Sequence, residues 1–594
     1  MLTTIQSLWR WQKSVTYVTQ GMPPQWFTSR MACYPTHNRE NATAERRLRK
    51  RTASCAITLL LAIAFAAAAA ARGATAPLLD RLASDAVPKA SDSALAQRYF
   101  AQGMVLTWGF NPAEAARSFE AATKADTRCA LCYWGLAWSL GPNINTDMST
   151  DAAPRVRDAL TQARALVPRA SRRDRELIDA LSARHLATGD SAAIDEDAYA
   201  VRMRALALQY PDDANIAMLA AEALMNLHPY DWWDRDGKPR PWTDEIRSQL
   251  ARALEIAPRH PGANHYWIHL MEASPRPADG LASADRLVSL VRGSGHLLHM
   301  PAHIYIRVGR YRDATRANER SIAADARYIA QVDAQRAYRV GYVAHNQHFL
   351  WATAAMEGRS AVALAAAGAA FPAACGPGRT DRGTGVLQHY YVLPLHALIR
   401  FGRWREILEE TLPPDVDEPY ALATWHYARG TAYAKTRRIA EASRELTAVE
   451  RLAADPRLAQ ARIKNINPAE ALVRIARLTL TADIALAVGR ASAAVTALSE
   501  ATAVEDGLTY DEPHLWFAPT RHALGAALLA AGRSADAERV YREDLAHYPE
   551  NGWSLAGLAE AQRRRGQAGA AAATDKRQRE AWRDADVMLT GSRF

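Results

Sequence analysis

Cysteine is scarce in this chain of 594 residues, which has five. Cys33 and Cys55 fall in the first 76 residues, leaving Cys129, Cys132 and Cys375, too few for a disulfide framework. Several chemical signatures are missing too. There is no Gly-x-x-x-x-Gly-Lys-Ser/Thr loop, no dinucleotide glycine fingerprint after a strand and no His-Glu-x-x-His; Cys132 is followed by Tyr133, so there is no Cys-x-x-Cys-His. An ATPase, a nicotinamide enzyme and a c-type cytochrome are disfavoured, and neither a nucleotide cofactor nor a c-type haem is expected. Alternating β-branched runs are almost absent beyond residue 93, which speaks against a sheet protein. The 49% apolar and 23% charged residues suffice for several cores and exclude collagen-like, mucin-like and multi-span membrane classes.

Excess charge is also missing from most of the chain. The net charge is +10, but residues 1–76 hold 10 Lys and Arg against 2 Asp and Glu, and the other 518 residues carry 63 basic and 61 acidic groups. Without clustered cations on the folded body, no nucleic-acid partner is expected. The basic run from Arg46 to Arg51, the uncharged alanine-rich stretch 53–71 and the triplet Ala74-Thr75-Ala76 together read as an export signal over 46–76. Pro77 would hinder cleavage after the triplet, so a cut at Ala69–Ala71 is the alternative; an uncleaved membrane anchor over 53–71 is the competing reading. Cys55 lacks the preceding Leu of a lipoprotein signal. Residues 1–45 form an N-terminal extension outside the fold, with Met31 an alternative start. The expectation is an exported protein, periplasmic or secreted, that touches a membrane only through this segment if it is retained.

After a linker at 77–92, residues 93–594 read as helix after helix, broken at Gly or Pro. Leu524-Gly525, Leu528, Gly532, Ala537, Tyr541 and Pro549 stand at fixed offsets, and Trp553, Ala556 and Gly557 restart the pattern in the next unit. Gly103, Ala115, Phe119 and Ala122 repeat it near the other end, and Gly430, Tyr433, Ala442 and Leu446 in between. On these residues the chain resembles the tetratricopeptide repeat family, with insertions at roughly 141–156 and 229–243 and a Gly/Pro-rich break at 372–385. The resemblance implies an all-α fold, a right-handed α-solenoid of antiparallel helix pairs. It also implies that the second, fifth, ninth, twelfth and thirteenth places of each first helix line a concave groove.

Eight of the 17 histidines lie between residues 260 and 348. With repeats starting near Pro261, Gly295, Ala344 and Gln388, the groove places are taken by His265 and His269, by His296, His299 and His303, by His345 and His348, and by His389 and His396. The i, i+3, i+4 and i+7 spacings put each set on one helical face whatever the register. Neutral imidazoles with a carboxylate suit zinc, copper or iron, so His265, His269, His296, His299, His303, His345 and His348 are the expected metal ligands. A metal-free groove that binds an acidic peptide or an aromatic molecule is the competing reading. Glu222 and Glu272 are candidate carboxylate ligands or general bases, and Asn226, Tyr305 and Arg307 candidate ligand-binding residues, Arg307 for an anionic group. His185, His260, His514 and His547 are read as ordinary helix residues.

Three local features complete the reading. Pro301 falls inside an expected helix and should delay or kink it. The insertion Tyr230–Trp242 is either a lid over the histidines or a loop packed outside. Cys129 and Cys132 either close a local disulfide or offer thiolate ligands. The run Gly295–Tyr311, with its His-Leu-Leu-His-Met-Pro-Ala-His core, is similar to one found in exported bacterial tetratricopeptide proteins of no established activity. The functional expectations are a binder of a ligand or partner (protein, peptide or small molecule) at a histidine-rich metal site, a hydrolytic or oxidative metal-dependent enzyme using the same histidines, or a metal-free peptide scaffold.

Overall fold

A computed structural model of the chain describes residues 76–594 except 83, 187–193, 333–335, 376–384, 413–415, 465 and 517. The extension, nearly all of the expected export signal and the 53–71 run lie outside the described residues. Among the described residues no helix is long and apolar enough to cross a membrane.

The fold is all-α, a tetratricopeptide-like solenoid in which successive helices pack on one another. A two-residue hairpin, Arg462–Ile463 against Asn467–Pro468, is the one sheet among the described residues. The chain divides into two compact units. One comprises residues 76–301 with Arg320–Tyr338. Its helices run in pairs, Ala94–Trp108 with Pro112–Ala125, Ala130–Leu140 with Ala152–Ala165, Ala214–Leu227 with Thr243–Ile256, and Pro261–Glu272 with Leu281–Leu290. The other comprises Ala302–Glu319 and Arg339–Phe594, with pairs such as Ala344–Met356 and Ser360–Cys375, or Pro419–Lys435 and Ile439–Ala453.

The sequence offsets have a direct packing meaning. Phe119 fills the space between Gly103 and Gly135, and a Cβ on either glycine would overlap its ring. Tyr541 sits in the same way between Gly525 and Gly557 in the other unit. A small residue on each first helix and a large ring on the second let the pairs close to crystal-like density. Helix starts follow local chemistry: the Asn111 side chain accepts from the Glu114 N–H, and Pro112 occupies the first turn, where its missing N–H costs nothing.

Proline acts differently at the two places singled out above. At Pro301 the helix Gly295–His299 stops and a new one, Pro301–Arg307, begins, so the ring takes a first-turn position. Pro372 lies inside the helix Ser360–Cys375, which runs into the expected break; the next helix starts at Gly385. Cys129 and Cys132 are joined by a disulfide. The thiolate-ligand alternative is therefore corrected, because both sulfurs are consumed in one bond. The Cys129 sulfur also accepts the Cys132 N–H and caps the helix Ala130–Leu140.

Candidate metal centre

Three buried imidazoles converge in the unit that holds residues 76–301. The helix Pro261–Glu272 carries His265 and His269 one turn apart, on one face. The short helix Gly295–His299 brings His296 against them. One nitrogen from each ring can be chosen so that all three lie within 4.8 Å of one another. The Nε2 atoms of His265 and His296 are 3.1 Å apart. His299 is also buried, its ring centroid 5.9 Å from that of His296.

The protons on these rings follow from their partners. His265 Nδ1 lies 2.6 Å from the Trp108 carbonyl, which only accepts, so Nδ1 carries the proton and Nε2 presents its lone pair. His269 Nδ1 lies 3.1 Å from the Glu272 carboxylate, and the same reasoning leaves its Nε2 lone pair outward. A carbonyl or carboxylate behind the ring, holding the other nitrogen as a donor, is the arrangement that orients a metal-binding imidazole and raises its basicity.

Two close approaches hold the helices in place. Gly262 lies against the Trp108 indole, where a Cβ would come within 2.7 Å of Cδ1. Gly295 lies against the Asp325 carboxylate, which a Cβ would overlap; Asp325 in turn accepts from the Tyr338 hydroxyl at 2.8 Å. Phe110 forms a floor under all three imidazoles, its centroid 4.6 Å from His265, 5.7 Å from His269 and 5.5 Å from His296. It is fully buried and has φ of +52°, a left-handed conformation that costs a bulky residue energy and persists only where the surrounding packing enforces it. Nothing in the sequence pointed to Phe110.

The other candidates of this unit have distinct surroundings. Tyr230 of the insertion meets His269 edge-on at 6.0 Å, and Trp233 Nε1 donates to the Leu270 carbonyl at 2.7 Å, so the insertion is anchored beside the cluster. Both oxygens of Glu222 lie 3.1 Å from Trp138 Nε1, and Asn226 is one turn further along the same helix. Burial pushes the Glu222 carboxyl up to about 7 against the opposing pull of Arg184. His260 is a helix cap: its Nδ1 accepts the Ala263 N–H at 3.1 Å, and burial lowers its pKa to about 4.

The other histidines expected at groove places, His303, His345, His348, His389 and His396, lie in the other unit. The His303 ring lies against the Glu512 carboxylate, a partner that no spacing rule could supply across 209 residues of chain. The His345 ring is 5.8 Å from His303, and Phe349 packs on both, at 4.6 and 5.1 Å. His348 faces His389 at 5.0 Å, and His389 Nδ1 is 2.9 Å from the Tyr420 hydroxyl. Burial, reinforced by neighbouring positive charge, holds His348 and His389 well below the usual histidine range, and burial alone takes His396 to about 3. These rings stay neutral at physiological pH. Arg307 lies over the Tyr510 ring at 5.1 Å, and buried Tyr305 has the Arg310 guanidinium above it at 4.3 Å.

No family model and no curated protein matches this chain. Solved structures do. The human IFIT1 dimer with m7Gppp-AAAA shares 10% identity, covering 83% of this chain and 91% of that one, at a TM-score of 0.29. The Cut9–Hcn1 hetero-tetramer of the APC/C shares 13%, covering 89% and 80%, at 0.28. The P58(IPK) TPR domain shares 13%, covering 80% and 98%, at 0.21. At these TM-scores the likeness carries no functional inference.

Proposed function

We propose that this protein is a tetratricopeptide-like scaffold that binds one transition metal through His265, His269 and His296 and recognises a protein, peptide or small-molecule ligand at that metal. The observation that carries the reading is that His265, His269 and His296 each offer a ring nitrogen within 4.8 Å of the other two, while the Trp108 carbonyl and Glu272 hold Nδ1 of His265 and His269. Imidazole nitrogens around a tetrahedral metal sit roughly 3.4 Å apart, given metal–nitrogen bonds of about 2.0–2.1 Å. The His265–His296 separation of 3.1 Å is close to that, and the other separations, all within 4.8 Å, close with side-chain adjustments of about an ångström. Three neutral nitrogen donors suit zinc, copper or iron. They leave a position for an outside donor, which is how a ligand would be recognised.

An open position on a three-histidine metal also supports a second reading, a metal-dependent enzyme with Lewis-acid or oxygen-activating chemistry. Glu222, poised near neutrality by burial, is then the candidate base. Export is part of the proposal and rests on the sequence of residues 46–76 alone.

Elemental analysis of the protein purified without chelators tests the proposal. One equivalent of zinc, copper or iron in the wild type, lost in His265→Ala and His296→Ala, supports it. Metal-free wild type that takes up none on dialysis against these ions refutes it, and a metal retained by both variants places it elsewhere.

A further inference from the structure

Residues 587–594 follow the helix Ala568–Ala581 and form no helix or strand of their own. They begin in solvent, with Met588 89% exposed, and then turn in among the helices of the same unit. Ser592 is buried. Its hydroxyl donates to the His522 carbonyl at 2.7 Å and must therefore accept from the Tyr541 hydroxyl, also at 2.7 Å. Arg593 Nη2 lies 2.9 and 3.0 Å from the two oxygens of the Asp483 carboxylate, which is fully buried. Phe594 meets Trp553 edge-on at 5.8 Å and packs on Gly402, where a Cβ would come within 2.8 Å of the Phe594 Cβ. A hydroxyl, a cation and a ring in sequence thus each have a matching place.

Three observations set this contact apart from core packing. The segment's backbone takes no part in it: among the described residues, the last backbone-to-backbone hydrogen bond is from the Asp586 N–H to the Gly358 carbonyl, at 3.1 Å. Chain built into a core normally has its buried backbone groups paired in this way. The seat is also incompletely filled, because a small cavity lined by Ile399, Tyr427 and Thr479 remains beside Arg593 and Phe594.

The third observation is that the Arg593 charge is surplus. Lys435 already lies 3.6 Å from Asp483, and burial, reinforced by Arg593, lowers the Lys435 pKa to about 8. Arg593 Nη1 is buried without a hydrogen-bond partner. When Arg593 leaves, Asp483 keeps Lys435 as its counter-ion, so release does not strand a buried charge.

We infer that this seat is a recognition site for a partner peptide in which arginine precedes an aromatic residue, and that the chain's own Ser592-Arg593-Phe594 closes it as a displaceable latch. The site is independent of the histidine metal centre. A latch on a short tether competes at an effective concentration on the order of millimolar, so an outside peptide binds well only when the latch is weakened.

The test is fluorescence anisotropy of a labelled, amidated peptide Thr-Gly-Ser-Arg-Phe with the full chain, as wild type, Arg593→Glu and Phe594→Ala. Both variants should keep the helical circular dichroism of the wild type and bind the peptide saturably, at least tenfold more tightly than the wild type does. A peptide with glutamate in place of arginine should not bind. Loss of helical structure in both variants would make the segment part of the core and overturn the proposal. So would equal binding by wild type and a folded variant, equal binding of the glutamate peptide, or no binding to a folded variant at millimolar concentration.

Discussion

His265 and His296 approach each other through their Nε2 atoms at 3.1 Å, although 31 residues separate them in the chain. The Trp108 carbonyl fixes the His265 proton on Nδ1, so the His265 Nε2 can only accept. Without metal, His296 must therefore hold its proton on Nε2 and donate it. With metal, both Nε2 lone pairs face the ion and the His296 proton moves to Nδ1. The expected outcome is a switch of the His296 tautomer, and no switch at His265, in ¹⁵N-detected imidazole spectra recorded before and after zinc addition.

Removing a ligand and removing the group behind a ligand should differ in degree. His269→Ala should abolish stoichiometric metal binding. Glu272→Gln keeps the ring and weakens its orienting bond, so a loss of about 10–100-fold in affinity is expected. Equal losses in a competition titration would mean that Glu272 itself holds the metal.

His260 is the control for this reading, because it lies one residue before the helix that carries His265 and acts as its cap. His260→Ala should cost about 1 kcal/mol in denaturant unfolding and leave metal stoichiometry unchanged; His260→Asn should recover most of the stability.

Phe110 offers a test of stored backbone strain. Phe110→Ala loses the ring that floors the three imidazoles, at a cost of about 3–5 kcal/mol, and keeps the left-handed backbone. Phe110→Gly loses the same ring and relieves the backbone. The glycine variant should be the more stable of the two by about 1 kcal/mol in urea unfolding.

Glu222 makes stability depend on pH in a direction opposite to a salt-bridged carboxylate. Its folded pKa is raised to about 7 by burial, from an ordinary value of 4.5. Between those values the folded state binds more protons than the unfolded one, so the group's contribution is fully present below about pH 4.5 and is lost as pH rises through 7. Glu222→Gln should therefore match the wild type near pH 4 and exceed it at pH 8 by roughly 3 kcal/mol in denaturant unfolding. A variant less stable than the wild type at pH 8 would contradict this assignment.

What the sequence disclosed and what it withheld divide along physical lines. Helix periodicity and the Gly103–Phe119 and Gly525–Tyr541 offsets are local, and they revealed the paired-helix fold. The four-residue step from His265 to His269 and the next repeat's His296 are also local or one repeat away, which is why all three stood among the seven expected ligands; that these three converge is a finding of the structure. Phe110 and the Trp108 carbonyl reach the cluster from more than 150 residues upstream, and Glu512 reaches His303 from far downstream. Solenoid stacking alone does not encode such contacts. Glu222 was readable as a candidate carboxylate ligand or base, but its burial and its attachment to Trp138 were not, because that contact spans 84 residues.

The most direct measurement is an X-ray absorption spectrum at the edge of the metal found in the purified protein. The account predicts three imidazole nitrogens near 2 Å, no sulfur, and at least one exchangeable light-atom ligand, with the imidazole count falling to two in His296→Ala if metal is retained at all. A shell of oxygen alone, or a sulfur ligand, or a spectrum unchanged by His296→Ala would contradict it.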